Sequence, residues 1–266
     1  MEKPIGVLDS GVGGLTVVKS IQKILPHEDI IYFGDSKNVP YGNRDEEEIY
    51  RLTMAMLKYF EKRDVKMVAI ACNTISTMAD RFRDKFDFPI VDIISPTVDH
   101  IENMGINKMV ILGTDFTIRT KAYERLLRER RKDYEISSEK SPRLAELVDK
   151  GDYRSREIYD TISGHLQSIS QMGNFYNIVL ACTHYPIVED VFLELDPTLN
   201  YINPGFQQAK AMRMVLHAQG TLKKEGKGTL QILTSGFPEI YKAVVEKLEM
   251  LEAEDIKTIE IPPYKE

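Results

Sequence analysis

The sequence predicts an α/β protein with two mostly parallel sheets and helices on both faces of each. Three observations predict it. Nine short apolar runs read as strands, at residues 5–10, 29–35, 66–72, 90–94, 108–114, 134–138, 177–183, 199–203 and 229–234. Stretches of helical period lie between them, and strands alternating with helices imply parallel pairing through crossovers. Finally, the plan repeats along the chain: GVLDS at 6–10 is echoed by VILGT at 110–114, and VAIACNT at 68–74 by IVLACTH at 178–184.

The helical stretches follow from spacing. Leu15, Val18, Ile21 and Leu25 share one face, as do Ile49, Leu52, Met56 and Phe60. Ile158, Ile162, Leu166 and Ile169 form a third such face, and Ile240, Val244 and Leu248 a fourth. Hinges are expected near Ser95 and Pro96 and again near Pro204 and Gly205. That gives a first domain of residues 1–95 plus 206–266 and a second of 96–205, with a cleft between them.

A chain of 266 residues can bury a substantial core, so disorder is excluded. Its 35 Lys and Arg against 41 Asp and Glu leave a net charge of -6, which repels a phosphate backbone; nucleic acid is a poor partner. The basic stretch 119–132 reads as one solvated helix face. No apolar run approaches the roughly 18 residues of a membrane helix, and Pro4 and Asp9 interrupt any leader core. A cytoplasmic protein without membrane contact is expected. Two cysteines cannot make a disulfide framework and should be free thiols there.

Cys72 and Cys182 each close an apolar run, follow Ala and precede two polar residues that could start a helix. Pro186 suits the first turn of a helix after Cys182. Ligands of open α/β sheets gather outside the carboxyl ends of strands, where both thiols would sit. An adjoining helix N-terminus favours thiolate. A lone cysteine usually acts as a small buried hydrophobe, but two in matching settings point to chemistry. Cys182-x-His184 lacks a second close pair for zinc, so no metal is expected. Two thiols facing one cleft suit proton transfer at a stereocentre, one removing a proton from one face and the other reprotonating the opposite face. That is racemisation.

Polar residues flank both thiols. Asp9 ends the first strand and enters Ser10-Gly11-Val12-Gly13-Gly14, a turn that lets backbone N–H groups approach an anion. The loop around Tyr41 and Gly42 could close over a small ligand or simply pack. Asn73 and Thr74 follow the first thiol, Thr183 and His184 the second, and His184 is placed as a proton partner. Thr114 and Thr117 sit at a strand end where they could hold a carboxylate. His27, His100, His165 and His217 read as surface or helix residues.

The segments LDSGVGGLTV, YFGDSKNVPYG, ACNT, GTDFTIRTKAY and ACTHYP, in this order over nearly the whole chain, resemble the glutamate racemases of the aspartate/glutamate racemase superfamily. The resemblance implies two α/β domains related by a pseudo-twofold axis, and no cofactor. It also implies a small acidic amino acid enclosed between the domains, and interconversion of L- and D-glutamate by Cys72 and Cys182 for peptidoglycan and cell-wall synthesis. It makes Asp9 and His184 partners of the thiols, and gives Ser10, Tyr41, Gly42, Asn73, Thr74, Thr114, Thr117 and Thr183 to substrate. Family members are often dimers, so a homodimer is consistent with it. Four positions depart from the family pattern: Asp149 stands for a usual Glu, Ser95 for Glu, Asn203 for Asp, and Ser141-Pro142 for Cys-Pro. Those departures keep open a racemase of aspartate or another acidic amino acid, or an amino-acid-binding protein without turnover.

Overall fold

The computed structural model describes residues 3–250 and 255–264. Ten strands form among them: β1 (Ile5–Asp9), β2 (Ile30–Gly34), β3 (Met67–Ile70), β4 (Ile90–Asp92), β5 (Lys108–Gly113), β6 (Glu135–Lys140), β7 (Asn177–Ala181), β8 (Asn200–Ile202), β9 (Leu230–Thr234) and β10 (Asp255–Thr258). Six of them make one sheet in the order β10-β9-β2-β1-β3-β4, four the other in the order β6-β5-β7-β8. Every pairing is parallel.

Period-two alternation explains why the first sheet is covered on both faces. Ile5 and Val7 of β1 point into one cluster with Tyr32, Met67 and Ala69, while Leu8 joins Phe33, Val68 and Ile70 on the other side. Helix Leu15–Ile24 buries Leu15, Val18 and Ile21 against the first cluster, and Glu46–Lys62 buries Ile49, Met56 and Phe60 against the second. The latter helix starts where Asp45 accepts the Glu48 N–H at 2.8 Å and three acids occupy its first turn, as the dipole favours. The first cluster runs on through helices Ile94–Asn103 and Pro204–Ala218 into the four-stranded sheet, so one core joins both sheets.

The expected hinge positions fall at helix starts: Ser95 and Pro96 lie in the first turn of helix Ile94–Asn103, and Pro204 opens helix Pro204–Ala218, where proline loses no internal hydrogen bond. Other expectations change. The basic stretch is two helices, Asp115–Thr120 and Ala122–Arg130, broken at Lys121 with φ 52°. Within it Arg125 pairs with Glu129 and Arg128 with Glu124, both at 3.1 Å. A tenth strand, β10, forms beyond the nine apolar runs, at the edge of the six-stranded sheet. The expected first domain also takes in residues 1–2, 251–254 and 265–266, which lie outside the described residues.

Candidate active site

The carboxyl ends of β1, β3, β5 and β7 converge on a cavity of about 470 Å³. Ser10, Tyr41, Gly42, Cys72, Asn73, Thr74, Thr114, Cys182, Thr183 and His184 all line it. Two hollows of about 510 and 560 Å³ lie elsewhere and hold neither thiol. Asp9 and Thr117 do not line the cavity but stand behind residues that do. Both cysteines are free, and Cys72 is 5% and Cys182 6% exposed, so each is nearly buried yet borders the same space.

Cys72 follows β3 and precedes the short helix Asn73–Ser76. Ser10 Oγ lies 3.6 Å from its sulfur and donates to Asp9 Oδ1 at 3.2 Å. Burial, and then the Asp9 charge, push the Cys72 thiol up to about 12 from an ordinary value near 9, against a smaller lowering by the Ile75 N–H and Ser10. The expected lowering by a helix N-terminus does not prevail, because a four-residue helix carries a weak dipole and desolvation outweighs it. Cys72 therefore holds its proton.

The second thiol has a different partner. His184 Nδ1 lies 3.7 Å from Cys182 Sγ, and Nε2 lies 3.0 Å from Asp149 Oδ1. Burial pulls the His184 pKa down, but the Asp149 carboxylate and the Cys182 sulfur outweigh it and hold it well above the ordinary histidine range. The His184 ring thus stands between a carboxylate and the Cys182 sulfur. Thr183 continues the link: its Oγ1 donates to Asp9 Oδ2 at 3.0 Å, and Thr16 Oγ1 donates to its carbonyl at 3.1 Å. Asp9 is fully buried and also accepts the Gly11 N–H at 3.0 Å, so it ties the loops of both thiols together. Burial raises its pKa despite the opposing His184 charge and these hydrogen bonds.

Gly13 permits that closeness, since a Cβ there would sit 2.5 Å from Thr183 Oγ1 and 2.6 Å from His184 Nδ1. Thr74 and Thr114 on the cavity wall form a hydroxyl triangle with Thr117 behind them, with separations of 3.1, 3.5 and 3.0 Å. Thr114 also accepts the Thr117 N–H at 3.2 Å and so starts helix Asp115–Thr120. Asn73 Oδ1 accepts from Tyr123 at 2.7 Å, while its buried Nδ2 has no protein partner. A free amide donor on a cavity wall is suited to an anionic ligand. Tyr41 is buried, donates to Asp35 Oδ2 at 2.7 Å and borders the cavity.

The four departures separate. Asp149 reaches His184 despite its shorter side chain, and Ser141 also lines the cavity. Ser95 instead donates to Asp92 at 2.8 Å, and Asn203 accepts the Gly205 N–H at 3.0 Å to start a helix; neither borders the cavity. The wall from Ser141 through helix Leu144–Asp149 to Lys150 was missed as an element, because six residues are too few to show a period. His165 lies in helix Arg156–Met172, as expected of a surface or helix residue, and both its ring nitrogens are engaged at 2.8 Å by Glu139 and Ser141. Among the described residues no group of three or more His, Cys, Asp or Glu could hold a metal ion, and no helix is long and apolar enough to cross a membrane.

Two parallel α/β sheets each bring one thiol to a shared cavity, and, taken together with the matches that follow, this makes the chain an amino-acid racemase, an isomerase. Residues 5–200 match the family model described as Asp/Glu/Hydantoin racemase, and the chain belongs to that family. It is 32% identical over 264 residues to a glutamate racemase of Thermoanaerobacter pseudethanolicus, covering 98% of this chain and 99% of that one. Among solved structures, a glutamate racemase isoform of Bacillus anthracis superposes with TM-score 0.91 at 26% identity, covering 98% and 99% of the two chains. The glutamate racemase of Francisella tularensis in complex with D-glutamate gives 0.88 at 27%, covering 97% and 98%.

Proposed function

We propose that this chain interconverts L- and D-glutamate without a cofactor and supplies D-glutamate for peptidoglycan in the cytoplasm. The observation that carries the reading is the pair of thiols bordering one cavity from two sheets with unlike partners. One sulfur, as thiolate, takes the Cα proton, and the electron pair passes into the adjoining carboxylate. The other, as thiol, delivers its proton to the opposite face, and the two sulfurs exchange protonation states. Cys72, which keeps its proton, and Cys182, supported by the His184–Asp149 pair, suit opposite starting roles. Asn73 and the threonine triangle offer N–H and O–H donors to the carboxylates and stabilise the charge that develops. The hinges near 95 and 204 then divide a first domain from a second that close on substrate.

Incubation of each enantiomer of glutamate and of aspartate in deuterated water, followed by chiral chromatography and mass spectrometry, tests this. Inverted glutamate carrying one Cα deuterium is expected. Exchange confined to aspartate, or amino-acid binding without exchange, overturns the assignment.

A further inference from the structure

The cavity wall holds a second polar array. Ser141, which follows β6, has its Oγ 2.8 Å from His165 Nε2, and it accepts the Leu144 N–H at 3.3 Å. His165 Nδ1 lies 2.8 Å from Glu139 Oε1, and Ser168 Oγ donates to Glu139 Oε2 at 3.0 Å. A carboxylate accepts only, so Nδ1 carries a ring proton, while Nε2 is bonded to the Ser141 hydroxyl, whose oxygen also accepts from Leu144. His165 and Ser168 come from helix Arg156–Met172 and Glu139 from β6, so two elements hold one hydroxyl.

That hydroxyl anchors the start of helix Leu144–Asp149, and the last residue of this helix is the acid that holds His184. Six residues form few internal bonds, and a helix so short takes its place from its anchors. Those anchors are the buried Leu144, Leu147 and Val148 and the Ser141 contact at its start.

We infer that His165 is a positioning residue for the Cys182 side of the reaction: it fixes Ser141, Ser141 fixes the helix, and the helix sets Asp149 against His184. The inference deepens the proposed racemase reading and rests on it. A shift of about 1 Å in Asp149 is enough to weaken the support of one thiol and not the other.

The test uses full-length His165→Leu, His165→Gln and Ser141→Ala. Each is followed by kcat and KM for glutamate, by thermal melting, and by the rates at which iodoacetamide alkylates Cys72 and Cys182, read by mass spectrometry. His165→Leu should lower kcat about tenfold with KM changed less than twofold, and slow alkylation of Cys182 about tenfold with Cys72 unchanged. His165→Gln, which can still reach both partners, should recover most of the loss, and Ser141→Ala should reproduce it. Equal effects on both cysteines, wild-type kcat in His165→Leu, or no recovery in a folded His165→Gln overturns the inference. Covalent labelling of Ser141 by a fluorophosphonate overturns it too, because an anchored hydroxyl is not free to attack. If His165→Leu fails to fold, Ser141→Ala carries the same expectations. A wild-type chain inactive on glutamate strikes the functional proposal instead, while the alkylation ratio still decides the positioning role.

Discussion

Replacing Asp149 by Asn keeps the shape beside His184 and removes the charge. A hydrogen bond to a charged group contributes about 1.5–3 kcal/mol. Asp149 keeps 32% of its side chain exposed, so screening by solvent favours the low end, about 1.5 kcal/mol. At 1.36 kcal/mol per pH unit, the His184 midpoint should fall by about one unit. Because His184 binds its proton more tightly when folded, its stabilising contribution is complete below the unfolded value near 6.5 and fades as pH rises through the folded value. Asp149→Asn should therefore cost most stability below pH 6.5, with the two melting curves converging in alkali. Loss of the imidazolium at lower pH should also move the alkaline limb of the racemisation rate down by about one unit. NMR titration of the His184 ring and a pH–rate profile read by polarimetry check both. An unmoved midpoint with an unmoved limb refutes the electrostatic argument.

Further outcomes follow from the packing. Gly13→Ala places a methyl against Thr183 and His184, and should lower kcat at least about tenfold in steady-state assays while the melting temperature falls. Gln208, fully buried, donates to the Ile70 and Val91 carbonyls at 2.9 and 2.8 Å beneath the Cys72 loop; Gln208→Leu should cost about 1–3 kcal/mol in urea unfolding. Asn73→Ala removes the unpaired amide donor, and should raise KM for glutamate more than it lowers kcat if that donor binds a ground-state carboxylate.

Nine strands were legible because apolar runs of five to seven residues between turn residues have few other uses in a chain of this class. Their ends run over by two positions at Cys72 and Thr183, where the chain has left the ladder to form the site. β10 escaped notice because Asp255–Thr258 is a short edge strand with polar, partly exposed residues. Pro96 and Pro204 both sit in the first turn of a helix, where proline loses no internal hydrogen bond. Polar residues directly after strands exposed most of the cavity wall. The His165 array was invisible in the sequence, since Glu139, Ser141 and His165 meet only when β6 and helix Arg156–Met172 pack.

The central claim is that two sulfurs act on opposite faces of one carbon. Turnover of Cys72→Ser and Cys182→Ser, each assayed in both directions from pure L- and pure D-glutamate, tests it most directly. Both variants should lose about 10² to 10⁴ in kcat in both directions while staying folded, because each direction needs one sulfur as base and the other as acid. Near-wild-type inversion by either variant would contradict the account.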